Sequence, residues 1–434
     1  MEEILEQAKR VAEEAEVFRI SRSETDAVFE ANRLKQVQSR QTSGKALRLV
    51  KEGRIGLSAT NRANGAAELV EMAAEVAAFG AEAKFDFPNP ESYPAVDVYD
   101  PAIEDVPAEQ MVNLGQSLID AVRQHTPELV CDGSVSKTVF TVEIANTRGG
   151  KATLKKSVFG FGIEGVLIRG TDMLFVGDTE GSCHPFQDPK SVIATTIEQL
   201  ERAKDTVSAP VGQIPVIFTP HGVASAFMPA LATAINGKTV VQGASPLGNR
   251  KGERVFDPKL TLVDDPLIGY RPGSRCCDAE GVPSQRTPII DGGVVSNFLF
   301  DLQTAALAQT ASTGSAARDL ASLPSPSFSN IVIEDGETSF EDMLAGIGDG
   351  LIVELLMGAG QGNVLSGEFS GNVLLGYAVK GGRIAGRVKD TMVYGNIYEA
   401  LKDVLAVGRD GRWLGGRMRT PSICCPRVAV STQE

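Results

Sequence analysis

The chain has 434 residues, with 42 Lys and Arg against 55 Asp and Glu, a net charge of −13. At that length about three quarters of the unfolded surface can be buried, so neither a disulfide framework nor a structural metal is required for stability. A surface of that sign repels phosphate backbones and excludes direct nucleic-acid binding through a basic face. Its three histidines, His125, His184 and His221, lie too far apart for any site built on two histidines of one helix.

The opening MEEILEQAKRVAEEAEVFR starts with two acids and has no apolar stretch of signal-peptide length, and no later stretch approaches about 18 consecutive apolar residues. Six cysteines, four of them in the adjacent pairs Cys276-Cys277 and Cys424-Cys425, do not form a secreted disulfide pattern. A soluble cytoplasmic protein, not associated with membranes, is expected.

In chain order, residues 2–14 place Ile4, Leu5, Ala8, Val11 and Ala12 on one helical stripe. Residues 16–63 read as an antiparallel meander of three or four short strands punctuated by Gly, Asn and Ser. A helix follows over 66–81, then a proline-rich linker over 85–101. The order repeats: helix 107–124, strands to about 182, helix 191–205. The expected fold class is α+β, with an N-terminal α/β domain (1–206) of two αβ(3–4)α-like units, about 1–84 and 104–206. After the 207–215 linker, helices are predicted at 221–235 and 340–347 among many glycine-punctuated strands. YAVKGGRIAGRV reads as a hairpin turning at Gly381-Gly382. Residues 212–434 are expected to form a β-rich barrel or sandwich-like domain with few helices.

Several familiar patterns fail on context. ATAINGKT (232–239) satisfies a permissive phosphate-loop pattern, but a helix precedes its glycine and turn residues follow, the reverse of a working loop. GAGQGN (358–363) has the wrong glycine spacing for a dinucleotide fingerprint. None of Ser245, Ser312 and Ser370 sits in a nucleophile elbow. A zinc site from the two adjacent cysteine pairs lacks the usual spacer between ligands. What remains is RCCDAEGVPSQRTPIIDGGVVSNFLFDLQTAALAQTASTGSAAR (275–318), where Asp278, Glu280 and Asp301 with Arg275, Arg286 and Arg318 either line a polar cleft or form a solvated surface between glycine turns.

That segment, with DAEGVP at 278–283, the Ile289-Ile290 stretch and TGSAAR at 313–318, resembles the signature of the TldD/PmbA family. GRIGLSATN (53–61), GKTVVQGASPLGNRKGERV (237–255) and GERVFDPKLTLVDDP (252–266) agree with it, and the resemblance spans about residues 16–430. It implies an α/β N-terminal domain and a β-rich C-terminal domain, dimerising around an enclosed cavity, in a family that includes zinc peptidases trimming small or unfolded peptides. Catalytic TldD members carry HExxxH on a helix and a cysteine ligand near the C-terminus. Here the corresponding helix reads ASAFMPALATAINGK, with neither His nor Glu between Ala224 and Thr239, and no thiol stands near Val407 to Gly411. His221, before that helix, reads as a cap or surface residue.

The resemblance is therefore to the PmbA (TldE)-like branch. It implies no cofactor in this chain, with zinc expected only in a TldD-like partner, and assembly as a heterodimer with such a partner or as a homodimer with itself. Unfolded or small peptides are the implied ligands, and a homodimer that binds peptides without cleaving them is the alternative. The candidate cleft and peptide-binding residues are Arg275, Cys276, Asp278, Glu280, Gly281, Arg286, Asp301, Thr313, Gly314 and Arg318, with no catalytic or metal residue assigned. The family's label as a modulator of DNA gyrase would then describe an indirect effect.

Overall fold

The computed structural model describes residues 1–62, 64–186 and 188–432. Strands β1 (Glu14–Glu30), β2 (Arg33–Lys51) and β3 (Arg54–Thr60) form one antiparallel meander, and β4 (Val130–Asn146), β5 (Lys151–Arg169) and β6 (Asp172–Ser182) form a second. They join through antiparallel β1 and β4 into one six-stranded sheet, in the order β3-β2-β1-β4-β5-β6. Helices α1 (Glu2–Ala8) and α2 (Ala66–Ala77) bracket the first meander. After the short α3 (Ala102–Asp105), α4 (Ala108–His125) and α5 (Lys190–Arg202) bracket the second. Each unit is thus a helix, three strands and a helix.

The strands are far longer than the sequence suggests, because the polar stretch Ser21–Thr25 continues the ladder rather than breaking it. The breaks fall where two consecutive residues take positive φ, Ala31-Asn32 (48° and 70°) and Glu52-Gly53 (51° and 70°). That backbone fits the right-handed twist of the flanking strands. Side chains alternate between faces. Ala15, Val17, Leu47 and Leu49 therefore pack under α1 and α2, while Phe18 and Ile144 turn to the opposite face and meet Cys277. Glu16 and Arg48 alternate with the first set and are themselves buried. This alternation brings two charges to the place where the 275–318 segment docks.

In the C-terminal half, β7 (Gly212–Phe218) and strands Gly350–Met357, Glu368–Lys380, Thr391–Asn396 and Ile423–Thr432 close into a five-stranded barrel. The hairpin between Glu368–Lys380 and Arg383–Arg387 turns at Gly381-Gly382, with φ of 55° and 73°. Successive barrel residues feed different cores. Val216, Phe218, Leu351 and Val353 pack with α6 (Pro220–Ala226) and α7 (Met228–Ala234), while Ile217, Ile352 and Tyr377 continue the core built on α4. The helix expected over 221–235 is two helices, because Pro229 at the start of α7 cannot donate a hydrogen bond into the preceding turn. Short helices α8 (Gly237–Val241) and α9 (Leu302–Leu307) follow. Among the described residues no helix is long and apolar enough to cross a membrane.

Candidate functional site

The 275–318 segment packs against the face of the N-terminal sheet that presents Glu16 and Arg48. Arg48 donates to Glu280 Oε1 at 2.5 Å and to Glu16 Oε2 at 3.2 Å, and Arg318 donates to Glu16 Oε1 at 2.9 Å. All four side chains are buried. Glu280 Oε2 accepts the Leu302 N–H at 2.7 Å. Burial pushes the Glu280 carboxyl above the usual range, against the pull of Arg48. Arg48 Nε and two nitrogens of Arg318 make no hydrogen bond. Their guanidinium faces lie on aromatic rings instead, Arg48 over Phe85 and Phe87 at 4.8 and 4.9 Å and Arg318 over Phe18 at 4.9 Å.

The other candidates hold the segment in shape. Asp278 accepts the N–H groups of Glu280, Val282 and Ala316 at 2.9 to 3.0 Å, and burial raises its carboxyl to about 6 against the pull of Arg275. Arg275 donates to the carbonyls of Ala316 and Gly314. Asp301 caps α9 through Thr304, and Thr313 accepts the Phe300 N–H at 2.8 Å. Gly314 has φ of 67°, and a Cβ there would stand 2.6 Å from the Pro283 carbonyl oxygen, so only glycine fits. Gly281 offers its carbonyl to the Tyr93 hydroxyl. Cys276 is half-buried beside Cys277. Arg286 stands apart on the surface, paired with Glu334 at 3.2 Å.

Of the ten candidates, Glu280 and Asp301 line a cavity of about 690 Å³, together with Arg48, Phe85, Lys238, Val240 and Leu307. The cavity thus has a charged floor under mixed apolar and polar walls. Among the described residues neither histidine nor cysteine lines it.

A second charged cluster lies where β6 and α5 meet the barrel. Thr219 caps α6, which places His221 in its first turn. His221 Nε2 is 3.1 Å from Asp178 of β6, and Nδ1 is 3.6 Å from Glu354 of the barrel. Gln199 donates to Glu354 at 3.4 Å, while Arg412 bonds Asp178 and reaches Thr195 Oγ1 at 2.9 Å. Burial alone would lower the imidazole, but the bonds to the two carboxylates outweigh it and raise His221 to about 9. His221 is thus a partly buried ion-pair residue, not the cap or surface group that the sequence suggests.

These residues do not fit the zinc that the resemblance assigns to the family's catalytic members. A zinc ligand must be a neutral imidazole with a free lone pair, whereas His221 has a carboxylate facing each nitrogen, which favours its protonated form. The rest of α6 and α7 offers only Gly, Ala, Val, Ser, Phe, Met, Leu, Thr and Pro. Among the described residues no group of three or more His, Cys, Asp or Glu side chains is arranged to hold a metal ion.

Sequence reasoning missed Glu16, Arg48, Asp178, Glu354 and Arg412. For Arg48 a signal existed: it is the one charge in Ala46-Leu47-Arg48-Leu49-Val50, a run apolar on both strand faces. Glu354 carries the same mark, as the one charge in Leu351-Ile352-Val353-Glu354-Leu355-Leu356, whereas Glu16, Asp178 and Arg412 carry none.

The model described as PmbA/TldA metallopeptidase C-terminal domain matches residues 211–432, and the companion domain 1 model matches residues 15–77. The chain belongs to the PmbA/TldD family. A metalloprotease of Methanothermobacter thermautotrophicus is 26% identical over 416 residues, covering 91% of this chain and 88% of the relative. An uncharacterized protein of Methanocaldococcus jannaschii is 23% identical and covers 98% of both chains. Among solved structures, TldE from Thermococcus kodakarensis superposes with a TM-score of 0.90 at 23% identity over 99% of each chain. A Thermotoga maritima protein described as a candidate modulator of a DNA gyrase gives the same TM-score at 21% identity. This PmbA/TldD chain therefore shares their fold over its whole length and is a metallopeptidase-related protein.

Proposed function

We propose that this chain is a TldE-like subunit without catalytic zinc of its own, which assembles with a TldD-like zinc peptidase and helps to enclose flexible peptides for cleavage by that partner. The observation that carries the reading is the make-up of α6 and α7, where the single imidazole stands between the carboxylates of Asp178 and Glu354 and no other His, Cys, Asp or Glu side chain is present. The cavity floored by Arg48 and Glu280 is the candidate peptide contact. A cytoplasmic setting suits six unpaired cysteines, which a reducing compartment keeps as thiols.

The test co-expresses the chain with a TldD-like protein and measures zinc content, native mass and cleavage of an unstructured peptide. The expected result is a heterodimer whose zinc and activity are both lost on chelation, while the isolated chain has neither. Stoichiometric zinc with peptide cleavage in the isolated chain overturns the reading. A stable homodimer that does not exchange with the TldD-like protein overturns the partnership and favours a non-catalytic binding protein.

A further inference from the structure

A cleft of about 750 Å³ opens between the end of β6, helix α5 and two loops of the C-terminal half, within the roughly 300–1,000 Å³ typical of small-molecule sites. Its walls are costly to build. Tyr270 holds a left-handed backbone with φ of 56°, unfavourable for an aromatic residue. The strain is held by hydrogen bonds from the Cys183 N–H and Ser182 hydroxyl to its carbonyl and from its own N–H to Asp97. The result aims the Tyr270 ring edge-on at His184, 5.1 Å away. Opposite, the Gly415-Gly416 turn approaches so closely that a Cβ on Gly416 would lie 2.2 Å from the Gly181 carbonyl oxygen. This turn carries the chain's single tryptophan, Trp413, into the cleft.

Arg271 lies on Trp413 at 4.2 Å. Among the described residues it has no carboxylate within ion-pairing distance, although burial holds it below the ordinary arginine value. Of the cleft's other charges, Arg412 is paired with Asp178 and bonds Thr195, while Glu180 accepts from the Ser191 hydroxyl and acts on Arg271 from beyond ion-pairing distance. A stacked guanidinium with an open fork recognises a planar anion with two oxygens. The rings of His184, Tyr270 and Trp413 beside it match a flat apolar group.

We propose that this cleft binds a carboxylate carried on an aromatic group, the carboxylate on Arg271 and the ring among Tyr270, His184 and Trp413. Free aromatic acids and peptides ending in an aromatic residue both carry this chemistry. The inference goes beyond the subunit role proposed above and does not depend on it, since binding is measured on the isolated chain without partner or proteolysis.

Trp413 is the only tryptophan, so its emission reports this cleft alone. Titration with N-acetyl-phenylalanine is expected to give a saturable change, and N-acetyl-phenylalanine amide to bind roughly tenfold more weakly or worse. Arg271→Gln should lose at least about tenfold in affinity, with Arg271→Lys intermediate. Tyr270→Gly guards against a folding artefact. Glycine accepts the positive φ, so this variant should melt near the parent temperature yet bind more weakly. Tighter binding of acetyl-Gly-Gly-Phe than of N-acetyl-phenylalanine assigns a peptide terminus, and equal binding a free acid; both support carboxylate recognition. Equal affinity for acid and amide, unchanged binding in Arg271→Gln, or no saturable response overturns the proposal.

Discussion

Replacing His221 with glutamine removes an imidazolium held between two carboxylates, Asp178 at 3.1 Å and Glu354 at 3.6 Å. Burial opposes the charge, and so does the helix N-terminus beneath it, yet the two anions raise His221 from 6.5 to about 9. Both carboxylates respond in the matching direction. Burial would raise each, but the bonds to His221, with Arg412 acting on Asp178, hold Asp178 and Glu354 below their ordinary values.

Because the folded protein binds the His221 proton more tightly than the unfolded chain does, stability from this group is complete below about pH 6.5 and is lost as pH rises through about 9. At about 1.4 kcal/mol per tenfold in proton affinity, the group contributes about 3 kcal/mol. The depressed carboxylates act in reverse, losing their contribution as pH falls into the acid range. With only three histidines, imidazole NMR resonances can be followed singly. One is expected to titrate near pH 9 and to vanish in His221→Gln. Glu280, Asp278 and Lys156, displaced by burial, and Cys276, lowered by its bond from Cys277, are shifted toward the same window, so the stability test is the difference between parent and variant. That difference should shrink by about 3 kcal/mol between about pH 6 and pH 10. A difference constant with pH, or three histidines all titrating near their ordinary value, would refute the ion-pair argument.

Arg48→Met leaves Glu280 and one oxygen of Glu16 without their cation and should cost about 3–5 kcal/mol in urea unfolding, while the double variant Arg48→Met/Glu280→Gln recovers much of that loss. Asp301→Ala removes the cap of α9 and should cost about 1–2 kcal/mol, whereas Asp301→Asn, which still accepts the Thr304 N–H, should lose less. Cys276 is drawn down to about 7 by the hydrogen bond from Cys277, whereas burial raises Cys424 to about 12. Alkylation of the native protein should therefore label Cys276 first, at a rate rising through about pH 7; equal labelling of Cys424 would count against the packing described.

Periodicity made the elements legible. The short helix Phe340–Ile347 lies where the sequence placed it, and Gly381-Gly382 turns the hairpin as a pair of adjacent glycines should. Strand lengths were not legible, because Ser, Thr and Gln between Ser21 and Thr42 serve an exposed ladder as well as they serve a turn. The glycines and charges of residues 275–318 were visible as a dense motif. Their roles were not, since those depend on contacts such as Arg48 to Glu280 and Arg318 to Glu16, 232 and 302 residues apart in sequence. A local pattern tells which strand face a residue takes, not what will cover that face. The same limit concealed His221, whose two partners come from β6 and from the barrel.

Among the described residues the ion pairs that join the N-terminal sheet to the C-terminal half fall at three places along one seam, each with at least one buried partner. Glu16 and Arg48 meet Glu280 and Arg318 beside β1 and β2; Asp178 meets His221 and Arg412 beside β6; and Asp172, at the start of β6, takes Arg387 at 3.0 Å. In each, one partner belongs to the N-terminal sheet and the other to the C-terminal half. Such pairs add little net stability, because desolvation offsets much of their attraction, but any shift of one half against the other strands a buried charge at a cost of about 3–5 kcal/mol. Three pairs spread along the seam therefore act mainly on alignment. That alignment matters to both candidate sites. The cavity over Arg48 takes its floor from β2 and from Glu280, and the Trp413 cleft takes His184 from one side and Arg271 from the other. Each site exists only while the two halves keep their register, which gives a protein of this shape a reason to spend charged side chains where apolar ones would pack as well.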